Sequence, residues 1–161
     1  MGDLVKTLRG VEFFFDIATE HLERVAAISK TVEFPAHLVI FREDEPAEDV
    51  FIIIDGRVSL AFCAPKFGCR QLMQVGTGEL IGWSPLVGRL RLSDTAQTMT
   101  LTTAIAMDGQ RILALCAEDP QFGFEFMHRA AQTLASRLNA TRMQLFKMNG
   151  LLLPEVQIES D

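Results

Sequence analysis

Residues 31–108 are divided into short runs that suit strands of only a few residues. The runs are 32–34, 38–41, 50–55, 57–63, 69–75, 79–81, 95–100 and 103–108, separated by turn-forming residues. Eight short strands at this spacing predict a mainly β domain, a jelly roll or small barrel. Asp55-Gly56 is a two-residue hairpin signal. Val58, Leu60 and Phe62 alternate with Ser59, Ala61 and Cys63, as expected of a strand with one buried face. The chain has 161 residues, 48% hydrophobic and 22% charged, which fits one folded soluble domain with a single core.

Helices are expected on both sides of this β region. Residues 3–9 form a short amphipathic helix, and 11–15 form an apolar cluster in which Phe13 and Phe14 anchor the helical lobe to the rest of the chain. Thr19 caps a helix running to Lys30, with Leu22, Val25, Ala26 and Ile28 facing inward. A short helix spans 110–117. Asp119 then caps a long helix with Pro120 at its first position and Asn149-Gly150 at its end. Along it Met127, Ala131, Leu134, Leu138, Thr141, Leu145 and Met148 recur at heptad spacing, with a second stripe at Phe122, Phe126 and Ala130. One stripe can dock on the β region while the other meets a second chain, which predicts a homodimer; the alternative is that the entire helix packs within the monomer. Arg137 and Arg142 flank the heptad seam. The domain covers 1–150: a helical lobe (1–30), a roll (31–108) and C-terminal helices (109–150). The tail, 151–161, is expected to fray.

The candidate site is the glycine-rich stretch from Gly76 to Leu86. Gly76, Gly78 and Gly82 fall within seven residues, with Glu79, Leu80 and Ile81 between them and Trp83, Ser84 and Pro85 after them. Ser84 can cap a short helix that starts at Pro85. A glycine turn running into a helix gathers free N–H groups and attracts anions, so the stretch reads as a phosphate-type cradle. The alternative is a tight turn with no ligand. Arg89 and Arg91 lie just downstream, either reaching the same pocket or standing in a solvated loop.

Other function classes find little support. A net charge of −6 argues against a broad basic nucleic-acid surface. The longest aliphatic and aromatic run, 50–54, is far too short to span a bilayer, and the N-terminus lacks the basic start and apolar core of a signal peptide. Lys6 also spoils a myristoylation reading of Gly2. Three cysteines without a signal peptide suggest reduced thiols in the cytoplasm, with Cys63 and Cys69 facing each other across a hairpin as small half-buried residues or as a redox pair. A cupin-type metalloenzyme needs a histidine cluster on strands. His21, His37 and His128 fall in helices and a loop, so no enzyme, metal or cofactor is expected.

The whole order resembles the cyclic-nucleotide-binding domain of the catabolite activator protein (CRP/FNR-like) family. The resemblance spans roughly residues 10–148. It rests on Phe13-Phe14, Val50-Phe51-Ile52-Ile53 followed by Asp55-Gly56-Arg57-Val58, Gly78-Glu79-Leu80-Ile81-Gly82, Thr95-Ala96, and Arg137-Leu138. It implies a double-stranded β-helix jelly roll with a long dimerisation helix, a cytoplasmic regulatory sensor and a nucleotide-binding pocket. The positions that read the ligand depart from the family. Trp83 stands where nucleotide binders carry a ribose-binding Glu, and Asp94 stands where they carry a phosphate-binding Arg before Thr95 and Ala96. Thr141 falls where the long helix meets the purine, beside Arg142, while His37 and Asp44 replace turn glycines. Only 151–161 follow Gly150, too few for the family's DNA-reading module, so no DNA binding by that route is expected. Two readings remain. One is a sensor for a small anionic ligand other than cyclic AMP, or binding cyclic AMP weakly, that signals to a protein partner. The other is a degenerate roll serving only interaction or dimerisation.

Overall fold

The computed structural model describes residues 2–158; residue 1 and 159–161, part of the tail expected to fray, lie outside the described residues. Among the described residues, eight strands pair antiparallel in two four-stranded sheets. They are β1 (Ser29–Phe34), β2 (Val39–Phe41), β3 (Asp49–Asp55), β4 (Val58–Ala64), β5 (Gly68–Val75), β6 (Leu80–Ile81), β7 (Thr95–Thr98) and β8 (Thr102–Asp108). One sheet runs β1-β8-β3-β6 and the other β2-β7-β4-β5, the two layers of the expected jelly roll. Between them lie Phe41, Ile53, Val58, Leu60, Val75, Ile81 and Ala96.

Helices cover the outer face of the first sheet. They are α1 (Gly2–Arg9), α2 (Thr19–Ala27), α3 (Gly109–Glu118) and α4 (Pro120–Asn149). Phe13 and Phe14 are buried in the lobe, and the Phe13 ring meets Phe126 edge-on at 5.2 Å. The expected anchor therefore joins the lobe to α4. Leu22, Ile52, Ile105, Met107, Ile112 and Phe122 complete this second core.

Three local expectations need correction. The helix starting near Thr19 does not reach Lys30: it ends at Ala27, and Ser29 to Phe34 pair with β8 instead. The β-branched residues Ile28, Thr31 and Val32 fit a strand better than a helix end. Thr19 is also not the cap. It is the first helical residue, and its hydroxyl accepts from Arg9 at 2.6 Å. In β4 the inward alternation stops after Leu60, and Phe62 is 50% exposed. Leu60 pairs with Met73 but Ala61 pairs with Gln71, so Leu72 is an extra residue in β5, a bulge that turns the outer half of the hairpin away from the core.

The cysteine expectation is corrected as well. Cys63 and Cys69 face each other across the β4–β5 hairpin with Cα atoms 4.0 Å apart, and they are joined as a disulfide. Cys116 is the free thiol, and burial pushes its pKa up to about 11.

Candidate functional site

The site depends on how α4 is aimed. Asp119 caps it as expected, with Oδ1 accepting from the Phe122 N–H at 3.2 Å. Oδ2 lies 2.6 Å from His21 Nε2, which ties the helix start to α2. The Phe122 N–H first and His21 second hold the Asp119 carboxyl below its ordinary pKa. At Gly123 a Cβ would collide with the Cys116 backbone, so glycine lets α4 cross closely over α3. Phe122, Phe126 and Ala130 are buried on the lobe. The two stripes do not divide as expected: Phe122, Phe126 and Ala130 dock on the core with Met127 of the heptad stripe beside them, and Leu134, Leu138 and Thr141 of that stripe also face the roll.

The middle turns of α4 run past the roll and form one side of a half-open chamber of about 390 Å³. Leu134, Arg137, Leu138 and Thr141 form its α4 side. Leu60, Leu72 and Met73 come from β4 and β5, and Trp83 and Asp94 from the segment between β6 and β7. The β5 bulge places Leu72 in this wall, a re-aimed side chain beside a site.

Arg137 is the cation of the chamber. It donates from Nη2 to the Leu80 carbonyl, while Nε and Nη1 are buried with no acceptor. A buried donor left without an acceptor costs about 1–3 kcal/mol. Burial lowers the Arg137 pKa, and the Glu79 and Asp94 carboxylates oppose that shift. Guanidinium does not lose its proton in proteins, so the charge stays. Asp94 responds the other way: burial raises its pKa, with Arg137 opposing and Glu43 adding to the rise. Neither Asp94 nor Glu79 closes an ion pair with Arg137.

The glycine-rich stretch does not provide the expected cradle in its first half. The Gly76 N–H donates to Glu79 Oε2, Gly78 to the Ile53 carbonyl and Glu79 to the Gly76 carbonyl. Those donors are used up in holding the turn. Gly82 has φ +68°, and a Cβ there would come within 3.1 Å of the Asp49 carbonyl, so glycine lets the chain turn from β6 toward Trp83. Ser84 is not a cap; it is the first residue of a 3-10 turn, Ser84–Val87, and its hydroxyl lies 3.3 Å from that of Ser93.

The remaining candidates are spread around the chamber. Leu80 and Ile81 are buried in β6, and Ala96 is buried in β7. The Thr95 hydroxyl accepts from the Glu43 N–H at 3.1 Å. Gly78 and Glu79 border a different notch of about 610 Å³, with Glu12, Asp16 and Arg129. Its arginine is already bonded to the Phe13 carbonyl at 2.6 Å, and its carboxylates repel an anion. Arg91 donates to the Asp44 carbonyl, and Arg89, Arg91 and Arg142 are exposed and outside the chamber wall. Arg137, expected only as a flank of the dimer seam, turns into the chamber instead. The signal that could have placed it there is its position four residues before Thr141, on the same helix face.

The model of the cyclic nucleotide-binding domain family matches residues 31–119. The CRP-like cAMP-activated global transcriptional regulator of Mycobacterium tuberculosis is 27% identical over 124 residues, covering 75% of this chain and 54% of that protein. The chain thus spans about half the length of the curated relatives it matches. A cyclic nucleotide-binding domain from Methylobacillus flagellatus superposes with a TM-score of 0.78 at 18% identity, covering 97% of this chain and 86% of that one. The Thermus thermophilus catabolite activator protein gives 0.67 at 24% identity, covering 84% and 62%. Both structures share the fold. With the matched model spanning the roll and α3, the chain belongs to the cyclic nucleotide-binding domain family.

Proposed function

We propose that this regulatory module senses a small anionic ligand in the chamber between the roll and α4, and binds cyclic AMP weakly if at all. The observation that carries the reading is Arg137, a buried guanidinium with two nitrogens that no protein group satisfies. An anionic ligand would supply the missing acceptor, and a charge-assisted hydrogen bond is a strong one. Cyclic AMP meets Trp83 and Asp94 where the family resemblance expects the Glu and Arg that read ribose and phosphate. A buried carboxylate facing a phosphate opposes binding. Occupancy would be transmitted along α4, whose outer half supplies a surface for a second copy of the chain.

The test is a thermal-shift screen against cyclic mono- and dinucleotides, nucleoside phosphates and simple carboxylates. A ligand at 100 times its Kd should add about 2.7 kcal/mol of stability. The expected result is a shift with an anion other than cyclic AMP or cyclic GMP. No shift with any anion would favour the degenerate roll.

A further inference from the structure

We infer that the chamber accepts an apolar molecule ending in a single carboxylate, with Arg137 of α4 holding the acid. This rests on the sensing function proposed above and names the class of ligand. Two thirds of the wall residues are hydrocarbon or aromatic: Leu60, Leu72, Met73, Trp83, Leu134 and Leu138. Its polar lining is limited to Arg137, Asp94 and Thr141. A nucleotide brings ribose hydroxyls, base-edge donors and acceptors, and phosphate oxygens, and each polar group buried without a partner costs affinity. An alkyl or aryl body loses nothing in such a wall and gains from leaving water. A volume of about 390 Å³ accommodates a body of moderate size.

The charge balance selects the head group. One guanidinium belongs to the wall, with two nitrogens buried and unpartnered among the described residues, and Asp94 lines the same space without pairing to it. A monoanion can be received by Arg137, whereas a phosphate dianion doubles the repulsion from Asp94. The groups acting on Asp94 are Arg137 from α4 and Glu43 from the β2–β3 connection.

The protein carries its own reporter, because Trp83 is its single tryptophan and lines the chamber. Its fluorescence is titrated with decanoate, with decanol as the same chain without charge, and with cyclic AMP. The expected result is saturable binding of decanoate about tenfold or more tighter than decanol. Arg137→Gln should weaken decanoate by about tenfold and leave decanol within about twofold, and Asp94→Asn should keep decanoate binding or tighten it. If Arg137→Gln does not fold, the decanoate–decanol difference and Asp94→Asn still decide. Decanoate no tighter than decanol, or unaffected by a folded Arg137→Gln, overturns the inference. Loss of decanoate binding in Asp94→Asn does the same. Binding of inorganic phosphate, titrated alongside, in place of decanoate overturns this inference alone, while tight binding of cyclic AMP or silence toward every anion overturns the proposed function with it.

Discussion

His37 and Asp44 both sit at φ +63°, in the left-handed region where the family resemblance places glycines. Asp tolerates that conformation, while the exposed His37 gains nothing visible from it. His37→Gly should therefore stabilise the protein by about 0.5–1 kcal/mol, read as a higher denaturant midpoint with an unchanged slope. Asp94 sets a pH dependence. Its folded pKa is raised above the ordinary 3.8, chiefly by burial, so the native state holds a proton that the unfolded state has released. Stability from this group is present below the ordinary value and is lost as pH rises through the folded one. Asp94→Asn should accordingly gain thermal stability over the parent as pH rises from about 4 to 7; a difference constant with pH would contradict the assignment. Thiol counting checks the cysteines. The folded protein should show no fast-reacting thiol, the unfolded unreduced chain one, and the reduced unfolded chain three. The disulfide was not legible in the sequence because facing residues on a hairpin can be two thiols as readily as one bond. It also removes the support that reduced thiols lent to the cytoplasmic expectation.

Among the elements, the eight strands and the capped α4 were legible because turn residues, hydrophobic period and cap signals agree there. The chamber was less so. Its wall depends on a bulge at Leu72 and on which face of α4 passes the roll, and both are set by packing between distant segments. For Arg137 the helix and the position were readable, but the burial was not. The outer part of α4 exposes Leu138 at 61%, Leu145 at 49% and Met148 at 71%. These are members of the heptad repeat, a spacing that suits pairing with a second α4. We expect a dimer by light scattering at micromolar concentration. Leu138→Asp should disrupt it, and Leu145→Asp is the cleaner test because Leu145 lies outside the chamber wall. A dimer that survives Leu145→Asp would place the contact elsewhere.

At the scale of the molecule, one helix serves both features. The first turns of α4 are fixed to the lobe through Asp119, Phe122 and Phe126, and the middle turns form one side of the chamber through Arg137 and Thr141. The outer turns carry the seam. A ligand that ties Arg137 to the roll would thereby bias how α4 leaves it, and a twofold partner would feel the change. The family fold is intact, and Trp83 and Asp94 stand where the resemblance expects the ribose-binding Glu and the phosphate-binding Arg. Calorimetric titration of cyclic AMP into the parent and into Asp94→Arg tests this most directly. The parent should bind with a Kd weaker than about 100 μM, and Asp94→Arg about tenfold tighter or more, because it places a cation where the resemblance expects the phosphate. Low-micromolar binding of cyclic AMP by the parent, or no gain in a folded Asp94→Arg, would contradict it.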